Sequence, residues 1–252
     1  MKLSANLLAL AIVASLGLAA CQKQADQTMP AASSDAMASD AMATDASANA
    51  MPAMPTSAKY TVVFTPRWTK ANFPLEYPDT SFIHKPHFSG WIGTAHNDNY
   101  HVFAEGTMPT PGLEHLSEMG EHDPLNSEIN AAIAAGNGLA LSESEPLKDF
   151  SQTVSFEVTV DNAHPSAALV AMIAPSPDWF AGVDVNLMDN GGFVASKSVD
   201  VMAWDSGGDD GSTYFADDLD TNPKKPTMPN SAAHFRPGGM AMPVGTLVFT
   251  RR

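Results

Sequence analysis

The 252-residue sequence has one cysteine, few basic residues and no long apolar stretch. A lone cysteine excludes an internal disulfide framework and a thiolate zinc site. Lys and Arg total 13 against 28 Asp and Glu, which gives a formal net charge of −15. This balance excludes nucleic acid as a partner, because phosphate binding needs clustered Lys and Arg. No run of about 20 apolar residues occurs, so we expect no helix that spans a bilayer.

Familiar catalytic motifs are missing as well. The sequence contains no Gly-x-Ser-x-Gly elbow, no His-Glu-x-x-His helix and no phosphate loop, so we do not expect an enzyme. The eight histidines are scattered, but His84 lies near His87 and His96 lies near His101. The spacing of each pair suits either a metal site or ordinary packing in a loop or core.

The amino terminus has the features of a secretory signal. Residues 1–20 carry one cation, Lys2, followed by an apolar run from Leu7 to Ala20. The run ends in Leu-Ala-Ala-Cys21, which resembles the cleavage box of bacterial lipoproteins, and Cys21 is the only cysteine. We therefore expect a signal peptide over residues 1–20 and a lipid on Cys21. Because Gln22 follows, we prefer the outer membrane of a bacterial cell envelope, on its periplasmic or surface face.

The stretch after the expected lipid is predicted to be a tether. Residues 21–59 consist mainly of Ala, Met, Ser, Asp and Pro, without an aromatic residue. Such a composition cannot offset the entropy of ordering, so this linker is expected to be disordered, with a mean reach of roughly 35 Å. Its methionines suggest a second interpretation, since soft thioethers also bind Cu(I).

Residues 60–252 carry the signals of a folded domain. Apolar side chains alternate with polar ones over 154–160 and over 60–65, which predicts half-buried strands. Residues 167–174 are apolar throughout, as in a central strand, and 245–251 form a further strand. Asp123 and Gly136 delimit a predicted helix, and a shorter helix is expected over 113–119. The domain is therefore predicted to be mostly β, with antiparallel sheets and a short helical insertion.

The acidic residues are unevenly distributed. Ten aspartates lie between 178 and 220, against the single cation Lys197. Aspartate suits loops and ligates hard cations such as calcium. Glycines between Asp205 and Asp209 would let the backbone bend so that both face one point. Composition alone leaves a cation site and a solvated acidic loop equally open.

Two motifs resemble a known family. Residues 174–183 read Ala-Pro-Ser-Pro-Asp-Trp-Phe-Ala-Gly-Val, and residues 204–211 read Trp-Asp-Ser-Gly-Gly-Asp-Asp-Gly. Both are similar to distinctive motifs of the spondin domain, first described in F-spondin, and residues 88–96 and 106–120 are similar to earlier parts of it.

The resemblance implies a fold and a site. The fold would be an antiparallel β-sandwich resembling the calcium-dependent membrane-binding domain of protein kinase C. One calcium ion would be bound by Asp178, Asp205 and Asp209, with backbone carbonyls and water completing its ligands. Asp184 and Asp210 are further candidate ligands. The cysteines that animal members carry between the two motifs are absent.

The sequence is compatible with three functions. The first is an adhesion or ligand-binding module that recognises a protein, a glycan or a lipid. The second is a calcium-assisted hydrolase, and the third is an envelope protein that handles metals through Met and His. The resemblance favours the binding module.

Overall fold

The computed structural model describes residues 54–78, 85–147, 152–217 and 219–252. All of these residues belong to one compact unit, Ala50–Arg252. The expected signal peptide, Cys21, nearly all of the expected linker and His84 lie outside the described residues, so the expectations about them stay predictions.

Most regular structure in the described residues is β-strand. The strands are β1 (Ser57–Pro66), β2 (His87–Phe88), β3 (Ile92–His96), β4 (Gly138–Glu143), β5 (Val154–Asp161), β6 (Ser166–Ala174), β7 (Trp179–Asn186), β8 (Met188–Asp189), β9 (Gly192–Phe193), β10 (Ser196–Asp205), β11 (Met228–Pro229) and β12 (Gly245–Arg251). The helices are α1 (Pro111–Met119) and α2 (Leu125–Ala134), and 3-10 turns cover Ala233–Phe235 and Pro237–Gly239. Strand β1 begins inside the stretch expected to be linker.

One antiparallel sheet contains most of the strands, in the order β4-β3-β6-β7-β10-β12-β1-β5. Beside that path, β11 pairs with β10 and β2 pairs with β6, while β8 and β9 form a small separate hairpin. Strands β4 and β5, at the two ends of the order, contact each other. The sheet therefore curves until it nearly closes, and its two halves face each other. This confirms the predicted β-sandwich class with a short helical insertion.

The sequence pattern explains where each strand lies. Strand β5 buries Phe156, Val158 and Val160 and exposes or half-exposes the residues between them, as the alternation predicted. Strand β6 is buried on both faces from residue 167 to residue 173, because it lies between β3 and β7 and is covered on either side. Its apolar run was correctly interpreted as a central strand.

Two hydrophobic clusters cover the two faces of β6. The larger one fills the space between the halves of the sheet and includes Leu169 from β6 and the ring of Trp179. The smaller one packs α1 and α2 on the outer face of the sheet, where Leu116 and Ile129 meet Val170. The helical insertion thus serves as a cover for strands that would otherwise expose apolar side chains.

The two helices start differently from one another. Thr110 caps α1, since its Oγ1 accepts a hydrogen bond from the N–H of Leu113 at 3.1 Å. The predicted cap of α2 is wrong: α2 has Pro124 at its cap position without a side-chain cap bond, and the carboxylate of Asp123 accepts instead from the hydroxyl of Ser127. Within the described residues, neither helix is long and apolar enough to cross a membrane.

Candidate functional site

Strands β7 and β10 bring two of the predicted ligands together. Asp205 ends β10 and lies opposite Trp179, the first residue of β7, in the antiparallel register. Asp178 directly precedes Trp179 in the chain. The two aspartates, 27 positions apart in sequence, therefore lie side by side at one end of the sheet.

Asp178 is fully buried, and its two carboxylate oxygens have different surroundings. Oδ2 accepts hydrogen bonds from the hydroxyl of Ser206 at 2.8 Å and from the backbone N–H groups of Gly207, Gly208 and Asp209 at 2.9, 2.8 and 3.2 Å. Oδ1 is buried and has no hydrogen-bond partner. A buried carboxylate oxygen without a partner is costly unless a cation meets it.

Asp205 adds a second carboxylate to this buried position. Its Oδ1 accepts from the N–H of Gly207 at 3.0 Å, the same N–H that serves Asp178. Burial and the neighbouring charge of Asp178 raise the pKa of Asp205 to about 6, and burial raises the pKa of Asp178. Like charges in a poorly hydrated place disfavour ionisation, and a divalent cation between them would reverse that effect.

Asp209 is buried in the same loop but is held differently. Its Oδ2 accepts from the N–H of Leu219 at 2.8 Å, and its Oδ1 accepts from the N–H of Gly211. Each carboxylate oxygen retains a further lone pair for a metal. The three aspartates do not have their ligand atoms within 4.8 Å of one another, in contrast to another group described below. Calcium binding there would therefore require at least one carboxylate to move inward.

The backbone between Asp205 and Asp209 requires glycine at position 207. Gly207 adopts a φ of +89°, and a Cβ atom there would lie 2.2 Å from the carbonyl oxygen of Lys225. The N–H of Lys225 donates to the carbonyl of Gly207 at 2.9 Å, which holds two segments of the loop together. This bend turns the successive N–H groups of residues 207–209 toward Asp178.

Buried aromatic rings pack against Trp179, the residue that follows Asp178. Trp179 is 1% exposed, and its ring packs against Tyr214 and Phe235 at centroid distances of 5.6 and 5.3 Å. The hydroxyl of Tyr214 accepts from the indole N–H of Trp68 at 3.0 Å. These contacts hold Trp179 in the core, and they thereby position Asp178, which directly precedes it in the chain.

The two further candidate ligands do not join this site. Asp210 is exposed and forms an ion pair with Lys225, which lowers the pKa of Asp210. Asp184 lies six residues after Asp178, about 20 Å along β7 at the usual rise per residue. It accepts hydrogen bonds from His96 and His101.

This second cluster was only partly visible in the sequence. The close spacing of His96 and His101 was recognised, but their shared partner Asp184 is more than 80 positions away. Burial acts to raise the pKa of Asp184, but hydrogen bonds with the two histidines outweigh it and the pKa is lowered. For His96, burial acts to lower the pKa, yet the bonds to Asp184 and to the carbonyl of Asn97 leave it raised.

Comparisons with known proteins confirm the family that the motifs around Asp178 and Asp205 resemble. The Spondin_N family model matches residues 58–235. Human Spondin-2 is 32% identical over 169 residues, which cover 66% of this chain and 50% of Spondin-2. Rat Spondin-1 is 27% identical over 179 residues, or 69% of this chain and 21% of Spondin-1. The chain thus spans half or less of the length of these relatives, and over most of its own length it belongs to the Spondin_N family.

Proposed function

We propose that this chain is a lipid-anchored ligand-binding or adhesion module of a bacterial envelope, with one calcium ion bound by Asp178, Asp205 and Asp209. The observation that carries the calcium part is Oδ1 of Asp178, which is buried and has no hydrogen-bond partner, on a carboxylate whose other oxygen shares a backbone donor with Asp205. A cation would satisfy that oxygen and would also offset the negative charge of the neighbouring carboxylate.

The donor set favours calcium over softer metals. All three side chains offer carboxylate oxygens, and nearby backbone carbonyls with water would complete six to eight ligands. Transition ions prefer nitrogen or sulfur ligands, which these three positions do not provide. When bound, calcium would neutralise the paired carboxylates and fix the loop that follows β10.

The loops at this end of the sheet would then present the binding surface. Calcium would act by ordering residues 205–211, or by sharing an open coordination position with an anionic group of the ligand. The ligand would be a protein, a glycan or a lipid on a neighbouring surface. Membership of the spondin family supports a binding role over the hydrolase and metal-handling alternatives.

The membrane part of the proposal depends on the amino-terminal segment. The lipoprotein-like Leu-Ala-Ala-Cys21 box supplies the attachment, and the composition of residues 22–53 suits a flexible spacer. Several acyl chains on Cys21 would anchor firmly, since each buried CH₂ contributes about 0.8 kcal/mol.

Capture from envelope extracts tests the binding role. The purified protein is incubated with envelope proteins, glycans and lipid vesicles, in calcium and in excess chelator. We expect one ligand class to be captured with calcium and released by the chelator. Asp205→Asn should lose capture, whereas Asp200→Asn, an exposed acid on the same strand that pairs with Arg67, should retain it. If the parent and both variants captured the same amount of ligand in calcium and in chelator, a calcium-dependent module would be excluded.

A further inference from the structure

A second group of metal-type ligands lies at the other end of β7. His96 Nε2 is 3.0 Å from Asp184 Oδ1, and His101 Nδ1 is 2.9 Å from Asp184 Oδ2. The two imidazole rings lie 4.9 Å apart, centroid to centroid. Among the described residues this is the group of three His, Cys, Asp or Glu side chains whose ligand atoms lie within 4.8 Å of one another.

The hydrogen bond made by Nδ1 of His96 leaves a lone pair on Nε2, which faces Asp184. Its Nδ1 lies 2.9 Å from the carbonyl oxygen of Asn97. A carbonyl only accepts, so Nδ1 carries a hydrogen, and Nε2 of the neutral ring is a bare nitrogen facing a carboxylate oxygen. That contact requires either a proton or a metal ion between the two atoms. A bond from the second ring nitrogen to a backbone carbonyl is also the usual arrangement of a metal-bound histidine.

The spacing of the ligand atoms suits a small transition ion. Metal–ligand bonds of about 2.0–2.1 Å in a tetrahedral site place neighbouring ligand atoms roughly 3.3 Å apart. The two nitrogen–oxygen distances here are only slightly shorter, so small side-chain movements would admit the ion. Negative charge on the nearby Asp98 also acts on His96 and favours a cation.

The three side chains range from fully buried to exposed. His96 is 1% exposed, Asp184 28% and His101 44%. The inner ligand is thus fixed by the sheet, while the outer one borders solvent. A metal held there would keep a coordination position open to water or to an oxygen or nitrogen atom of another molecule.

We propose that His96, His101 and Asp184 form a binding site for a divalent transition metal ion of the zinc type. Two imidazole nitrogens distinguish this site from the all-carboxylate site at Asp178, because nitrogen ligands select zinc, copper or nickel over calcium. The two sites are about 20 Å apart along β7, so each is expected to load independently of the other.

Zinc and cobalt titrations test the site. The full-length protein, carrying Cys21→Ala so that no thiol contributes, is stripped with chelator and titrated with Zn²⁺ by calorimetry. We expect one zinc ion per chain, and at least about a tenfold loss of affinity in His101→Ala and in Asp184→Asn. Co²⁺ should give the visible absorption of a nitrogen- and oxygen-ligated, low-coordinate ion, and both variants should lose that absorption.

Two controls distinguish this site from adventitious binding. His115→Ala removes a histidine of similar exposure, 38%, that pairs with the single carboxylate of Glu121, and it should leave zinc affinity unchanged. Asp205→Asn should leave it unchanged too. Because His101 is exposed, its replacement tests the site even if Asp184→Asn fails to fold. Zinc affinity that is absent in the parent, or equal in the parent and in His101→Ala, would show that the cluster is a hydrogen-bonded ion pair and nothing more.

Discussion

Asp178 and Asp205 share a single backbone donor: the N–H of Gly207 lies 2.9 Å from Oδ2 of the first and 3.0 Å from Oδ1 of the second. The hydroxyl of Ser206 and two more N–H groups also donate to Oδ2 of Asp178, but Oδ1 of this buried carboxylate has no hydrogen-bond partner, and the half-buried Asp205 adds a second negative charge next to it. The end of the sheet is therefore built with a local deficit of positive charge, and several properties of the protein should depend on how that deficit is met.

Calcium should stabilise the native protein. With a Kd of about 10⁻⁴–10⁻³ M, as in extracellular modules, about 10 mM calcium would add about 1.4–2.7 kcal/mol to the free energy of unfolding. The melting temperature should rise by roughly 3–10 °C. Differential scanning calorimetry with and without calcium measures this shift.

The same melting experiment locates the site. Asp205→Asn and Asp209→Asn should each lose most of the calcium-dependent shift, while Asp200→Asn should keep it. If the first two variants melt like wild type both with and without calcium, the ligands have been assigned to the wrong residues.

Replacing Gly207 by Ala should destabilise the loop severely. A Cβ atom at this φ of +89° would meet the carbonyl oxygen of Lys225 at 2.2 Å, so the clash adds to the cost of the left-handed backbone. We expect a loss of at least about 2 kcal/mol in chemical unfolding. Gly136→Ala is the matched control, because Gly136 also has a positive φ, +75°, with nothing within 4 Å of its Cβ position. Equal losses at both positions would mean that the contact with Lys225 is unimportant.

The two helix starts should respond differently to alanine. Thr110→Ala removes the hydroxyl that accepts from the N–H of Leu113, which should cost about 1 kcal/mol. Asp123→Ala removes a carboxylate that makes no cap bond to α2, so its effect should stay within about 0.5 kcal/mol. Urea unfolding of the two variants compares them directly, and a larger loss for Asp123→Ala would contradict this description of the helix ends.

Cys21→Ala should release the protein from the membrane. Without the thiol no lipid can be attached, and the described residues contain no helix able to span a bilayer. Fractionation of cells that express the parent and the variant should move the protein from the membrane pellet to the soluble fraction. A variant that remains in the pellet, resistant to high salt, would rule out the lipid anchor.

Local patterns in the sequence predicted much of the fold. The alternation in β5, the continuous apolar run of β6 and the short helix α1 were all correctly interpreted, because each depends on neighbours within a few residues. The start of α2 was not, since Asp123 has the right residue type for a cap but its carboxylate bonds a hydroxyl rather than a backbone N–H. Residue type alone does not determine that choice.

The aspartate site was easier to predict from the sequence than the group of His96, His101 and Asp184. The motifs around Asp178 and Asp205 were recognisable by resemblance, but nothing local revealed that four donors converge on one oxygen of Asp178. The group of His96, His101 and Asp184 depends on the antiparallel pairing of β3, β6 and β7. Only the order of strands in the sheet brings these three residues together.

The direction of the strands has a consequence for how the molecule is presented. Strand β1 starts at Ser57 beside the end of β12, and β10 runs in the same direction as β1 because both are antiparallel to β12. The carboxylate of Asp205 therefore lies at the far end of the sheet from the start of β1, about 40 Å away along the strands. Residues joined to the start of β1 therefore enter the domain at the end of the sheet opposite the aspartate loops, and those loops stay clear of the point of attachment.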